Sequence, residues 1–219
     1  MGERLRSARQ ARGLTLRELA QRLGVSPSMI SQIETGRASP SVSTLYAIAS
    51  ELDVSLDELL FNDRRAGGQP TDSAGPAAGS ERHVQRADSR AQIRLASGVV
   101  WERLTALPEV DTEFLHVTYE VGGASSSEDE YQRHAGREWG YVLAGRLEVR
   151  IGFEQLVLEP GDAISFESSV PHRLANVGEV PVHAIWFVLG RGGPDQPHDD
   201  LHAPARARPA EGTIPRFSR

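Results

Sequence analysis

Residues 15–36 read TLRELAQRLGVSPSMISQIETG, and their punctuation decides the fold of the N-terminal part of the chain. Thr15-Leu16-Arg17-Glu18 is a capping box: the threonine caps a helix and the glutamate three positions on reaches back to it. Leu16, Leu19, Ala20 and Leu23 follow at helical spacing. Gly24-Val25-Ser26 breaks that helix. Ser26 caps the next one, and Pro27 sits in its first turn, where a missing N–H costs nothing. Met29, Ile30 and Ile33 supply its core face, and Gly36 ends it. Two short helices joined by a glycine turn have the helix-turn-helix geometry. In that geometry the first helix crosses a phosphate backbone and the second enters the major groove by its N-terminal end.

The second helix should then expose small polar side chains. It offers Ser26, Ser28, Ser31 and Gln32. Glutamine pairs bidentately with adenine, and serine serves several bases. Arg37, just past the helix, is placed for a phosphate. The helix N-terminus after Thr15 can hold another. Working outward, an upstream helix carries Leu5 and Ala8 and stops at Arg12-Gly13. A downstream helix over 40–52 carries Val42, Leu45, Ile48, Ala49 and Leu52. A last turn spans 55–61, capped by Ser55 with Glu58 three residues on. The run TLRELAQRLGVSPSMISQIETGRASPSVSTLYAIASELDVSLDELL resembles the phage-repressor type of helix-turn-helix, the Xre family of bacterial regulators, and the likeness covers roughly residues 3–61. The resemblance implies that Ser28 and Gln32 read bases. It also implies a partly buried Arg9–Glu34 ion pair that orients the recognition helix.

The whole chain has 219 residues and no cysteine, which excludes a disulfide framework, a thiolate metal site and a cysteine nucleophile. All 24 of its Lys plus Arg positions are arginine. The net charge is −6, yet residues 3–37 hold seven arginines against Glu3, Glu18 and Glu34, a local balance of +4. The chain is polarised, with a basic head and an acidic remainder. It contains no long apolar run, so no membrane span is expected. The start MGERLRSARQARG lacks an apolar h-region, so no secretory signal is expected and the cytoplasm is the expected location. Residues 62–90, rich in Gly, Ala, Ser, Pro and charge, read as a flexible linker, and 191–219 as a disordered tail.

Between them, residues 91–190 change texture. Runs at 92–95, 99–104, 113–121, 138–143, 146–151, 155–158, 163–166 and 182–189 read as strands, which suggests a sandwich or barrel. Two segments carry possible chemistry: Gln132-Arg-His134-Ala-Gly-Arg-Glu138, and Pro160-Gly-Asp162 followed by Pro171-His172. They resemble the two cupin motifs, which implies a jelly-roll barrel. The family binds a divalent metal through two histidines and a glutamate of the first motif and one histidine of the second. His134, Glu138 and His172 match. The remaining histidine position falls on Gln132, and the second motif's internal Pro and Gly fall on Glu167 and Ser169. Two histidines and a carboxylate are the facial triad of non-haem iron, and the same donors suit zinc, nickel or manganese. The alternative is a metal-free pocket for a small ligand. Strand alternation puts Glu138, Gly140 and Val142 on one face and Trp139 and Tyr141 on the other, where they would pack or meet a second copy. His83, His116, His183, His198 and His202 fit no motif.

The expected fold class is therefore two-domain, α then β: an all-α helix-turn-helix bundle over 1–61 and an all-β cupin barrel over 91–190. The expected function is sequence-specific DNA binding by a homodimeric transcriptional regulator whose cupin lobe senses a small molecule or metal. The linker predicts loosely coupled lobes. A second reading is a non-haem iron enzyme, because the pairing of lobes and the run His134-Ala-Gly-Arg-Glu138 also resemble the hydroxypropylphosphonate epoxidase family. That family draws a lysine from its helical lobe, and this chain has none.

Overall fold

The computed structural model describes residues 1–60, 83–107, 109 and 111–190. Five α-helices open the chain: α1 Gly2–Ala11, α2 Leu16–Leu23, α3 Pro27–Glu34, α4 Val42–Leu52 and α5 Leu56–Leu60. Side-chain chemistry sets the starts of α2, α3 and α4. Thr15 Oγ1 accepts from the Glu18 amide at 3.2 Å while the Glu18 carboxylate accepts from the Thr15 amide at 2.8 Å. Both otherwise orphaned donors are thus satisfied. Ser26 Oγ accepts from the Met29 amide and Ser41 Oγ from the Thr44 amide, each at 3.1 Å. Gly24, at φ +66°, supplies the left-handed residue that ends α2. Leu5, Leu19, Ile30, Ile33, Leu45, Ile48 and Leu52 are buried where these helices meet.

Nine strands follow: β1 Gln92–Arg94, β2 Val99–Arg103, β3 Thr112–Tyr119, β4 Arg137–Ala144, β5 Leu147–Ile151, β6 Glu154–Leu158, β7 Ala163–Glu167, β8 His172–Asn176 and β9 Val182–Leu189. They form a six-stranded sheet in the order β1-β2-β3-β9-β4-β7 and a three-stranded sheet in the order β6-β5-β8. All the paired strands run antiparallel. Alternation along β3, β4 and β9 turns Leu115, Val117, Val142, Ala184, Trp186 and Val188 inward. Val149 and Leu174 share the same core from the second sheet. Eight strands were expected, and β8 is the additional one. Its sequence, HRLAN, has little strand propensity. It is a strand because it pairs with β5, His172 opposite Ile151 and Leu174 opposite Val149.

The two lobes touch, contrary to the loose tether expected from composition. The Ser43 amide, in the first turn of α4, donates to the Ser125 carbonyl at 3.1 Å, and the Ala96 amide donates to the Pro40 carbonyl at 3.0 Å. Tyr46 of α4 lies against Trp101 of β2, ring centroids 5.5 Å apart. The reason is in the helix: Tyr46 joins Val42, Leu45, Ile48, Ala49 and Leu52 as buried, so α4 is apolar over more than the face its own bundle covers. Of the expected linker, residues 62–82 lie outside the described part. Residues 83–90 carry a 3-10 turn at Ala87–Ser89, and Arg90 Nη1 approaches Glu102 Oε2 to 3.5 Å. The expected tail at 191–219 also lies outside the described residues.

Candidate DNA-reading face and metal centre

The recognition helix of the sequence motif is α3. Ser28 and Gln32 are exposed on it, as is Met29, and Ser31 is half-buried. Ser26 is exposed too, but its oxygen serves as the N-cap of α3, as that of Thr15 does for α2. Neither hydroxyl oxygen is idle, although each O–H remains a donor. Arg37 is exposed just past the helix. Behind this face, Arg9 grips Glu34 in a fork, Nε to Oε1 at 2.6 Å and Nη2 to Oε2 at 3.0 Å. The third arm, Nη1, donates to the Leu14 carbonyl at 2.7 Å. The hydrogen bond to Glu34 raises the Arg9 pKa against the effect of burial. The fork therefore ties α1, the α1–α2 loop and the end of α3 into one unit.

The second cluster sits inside the cupin lobe. Among the described residues, His134, Glu138 and His172 offer ligand atoms all within 4.8 Å of one another. Glu138 Oε1 lies 2.9 Å from His134 Nε2 and 3.2 Å from His172 Nε2. Both histidines are oriented from behind. His172 Nδ1 faces the Val170 carbonyl at 2.8 Å and His134 Nδ1 faces the Ala135 carbonyl at 3.0 Å. A carbonyl oxygen only accepts, so each Nδ1 carries a hydrogen and each Nε2 is left to face Glu138 Oε1. The other carboxylate oxygen, Glu138 Oε2, accepts from Trp186 Nε1 at 2.6 Å. Burial pushes the Glu138 carboxyl up, but the hydrogen bonds and charges of His134 and His172 overcome it and hold the group well below the usual carboxylate range.

Two imidazole nitrogens and a carboxylate oxygen thus converge in a buried space, an arrangement stable only with a cation or shared protons between them. The donor set and the backing hydrogen bonds fit a divalent metal. Gln132 is buried beside His172, their backbones paired in both directions at 3.0 Å. Its Oε1 and the Oγ of Ser168 have no hydrogen-bond partner among the described residues. Sequence reasoning missed two contributors. No motif in the sequence marks Trp186, or Tyr46, whose ring lies 4.5 Å from that of His134. The signal for Trp186 was Gly140, directly opposite it in register. The signal for Tyr46 was the second apolar face of α4.

Comparison with known proteins agrees with both halves. Residues 5–59 match the helix-turn-helix family and residues 115–188 match the cupin domain. The regulator DdrOP3 of Deinococcus deserti is 36% identical over 36% of this chain and 68% of its own length. This chain belongs to the helix-turn-helix transcriptional regulators. The likeness to regulators spans both lobes. The transcriptional regulator SutR of Escherichia coli is 29% identical over 82% of this chain and 88% of that one. A solved helix-turn-helix regulator from Vibrio cholerae is 26% identical, covers 86% of this chain and 93% of its own, and superposes with a TM-score of 0.59. This regulator accordingly pairs a DNA-binding head with a cupin lobe. Among its described residues, no helix is long and apolar enough to cross a membrane.

Proposed function

We propose that this regulator is a cytoplasmic homodimer that reads a palindromic operator through α3 and responds to the state of its cupin pocket. The observation that carries the reading is an exposed polar face on α3, Ser28 and Gln32, backed by the buried Arg9–Glu34 fork. A scaffold would not need a rigidly aimed polar face. In this reading Gln32 and Ser28 contact base edges, with Ser31 at their margin. Arg37 and the capped N-termini at Thr15 and Ser26 meet phosphates.

The cupin pocket is the sensing site. His134, Glu138 and His172 would hold a divalent metal such as iron, zinc, nickel or manganese, and the buried Gln132 amide is the candidate for a fourth group. A bound metal would supply a Lewis-acidic centre with open positions where a small effector can attach. Trp186 and the Val170 and Ala135 carbonyls keep the ligands aimed. The effector acts by shifting the population between two spacings of the reading heads. The cupin lobe is read as a sensor and not as an enzyme. Iron(II)-dependent oxygen consumption by the purified protein would contradict that.

The test of the DNA reading is to incubate the purified protein with fragmented genomic DNA and sequence what it retains. A palindrome is expected, with half-sites about 34 Å apart or a multiple of that. Retention should weaken steeply with salt, as phosphate contacts require. Gln32→Ala should lose about 1–3 kcal/mol and relax preference at one base position. No enrichment, or an unchanged base preference in the variant, overturns the assignment.

A further inference from the structure

The metal centre is not closed by the cupin lobe alone. Tyr46 belongs to the helical lobe, yet it is 6% exposed, with its ring centroid 4.5 Å from that of His134 at an interplanar angle of 37°. Its hydroxyl lies 3.5 Å from Glu113 Oε2 of β3. The three ligand residues are held differently. Glu138 sits in β4 and is fixed by Trp186, and His172 sits in β8 with its side chain wholly buried. His134 lies outside the strands, between the Gln132–His172 bridge and β4, and its amide donates to the Ser168 carbonyl at 3.1 Å. Its backbone is partly open, while its imidazole is only 4% exposed. The ring that lies tilted against it is that of Tyr46.

We propose that Tyr46 is a working part of this centre: a lid contributed by the DNA-binding lobe, through which occupation of the His134–Glu138–His172 site fixes how that lobe docks. The inference rests on the metal reading of the site. A cation held at Nε2 draws electron density from the His134 imidazole, and an electron-poor ring attracts the face of a phenol more strongly. It also fixes the ring's direction, because metal–nitrogen bonds near 2.0–2.1 Å tolerate little misplacement. Tyr46 lies one turn beyond Ser43, whose amide is bonded to Ser125, so the lid and the lobe contact share a helix. The same helix buries Leu45 and Ile48 in the core that holds Leu19 and Ile33. Metal occupation and lobe docking must then strengthen each other to the same extent.

The experiment uses the full chain, with zinc(II) alone as the probe. Zinc affinity is measured by chelator competition, and hydrogen exchange of the α4 and Ala96 amides is followed with and without zinc. Wild type, Tyr46→Phe, Tyr46→Leu and Glu138→Gln are compared. Zinc is expected to slow exchange across the Ser43 and Ala96 contacts in wild type and in Tyr46→Phe, which keeps the ring. Tyr46→Leu should bind zinc about fivefold or more weakly and show no zinc-dependent protection. Glu138→Gln should lose zinc binding. Equal affinity and equal protection in Tyr46→Leu overturn the lid while leaving the metal site standing. Absence of zinc binding in wild type overturns both readings. If Tyr46→Leu fails to fold, the wild-type and Tyr46→Phe exchange data decide: protection unmoved by zinc overturns the proposal.

Discussion

Gly140 has no side chain because Trp186 occupies the space where one would be. A Cβ built there would stand 2.1 Å from Trp186 Cζ3 and 2.4 Å from its Cη2. That indole holds Glu138 Oε2 and so leaves Oε1 to face the two histidines. Gly140→Ala should therefore overpack the site and cost about 1–3 kcal/mol in denaturant melts. Trp186→Phe keeps an aromatic ring, though a smaller one, and removes the donor. It should weaken metal binding about 10–100-fold with a smaller change in melting temperature, read by chelator competition. Unchanged affinity would show that the indole only packs. The three candidate ligands were legible from their motif spacing. Their supports were not, because Trp186 stands 48 positions from Glu138 in the chain and meets it only once β4 and β9 pair. Tyr46 was hidden for the same reason, on the opposite lobe from the histidine it covers.

The helices were the most legible elements, since the starts of α2 and α3 are each written in a side-chain cap. The α2 capping box allows two tests. Thr15→Ala removes the acceptor for the Glu18 amide and should cost about 1 kcal/mol of helical-lobe stability, measured by urea melts. The Thr15 amide and hydroxyl hold the Glu18 carboxyl below its ordinary value. Its folded pKa is thus depressed, so its contribution is present above the unfolded carboxylate range and is lost as pH falls through the lowered value. Glu18→Gln should flatten that acid limb. The Arg9–Glu34 fork separates stability from aim. With both side chains buried, removing one partner by Arg9→Met should cost about 3–5 kcal/mol. The double replacement Arg9→Met with Glu34→Leu should recover much of that stability while operator affinity stays low, because α3 loses its fixed direction. Recovery of DNA binding alongside stability would deny the fork an aiming role. Strand β8 was the least legible element: nothing local in HRLAN marks it, and its place is set by Ile151, Val149 and Leu147 across the ladder.

At the scale of the molecule, charge and surface divide the work. The basic residues 3–37 gather at the head, so the field of the protein orients that end toward DNA while the acidic remainder is repelled. One reading helix spans too few bases to find a unique site, which is the argument for two heads. The outer face of the six-stranded sheet offers a place to join them. Phe114, Trp139, Tyr141, Leu143 and Leu189 are all more than one-third exposed there. Phe187 bridges this patch, its ring 6.1 Å from Phe114 and 5.7 Å from Trp139, with Arg137 over the Trp139 ring. Contiguous aromatic surface of this kind is uncommon on a monomer and marks a contact. Because these side chains point away from the core, Trp139→Ser with Tyr141→Ser should leave the fold and the metal centre intact. Sedimentation should then show a monomer where a dimer is expected of wild type. Operator affinity should fall about 10²–10⁴-fold, the loss expected when two linked heads bind separately, while binding to a single half-site is unchanged. A double variant that still sediments as a dimer would move the interface elsewhere. A monomeric variant that keeps full operator affinity would show that one head suffices, and the palindrome would then have no role in recognition.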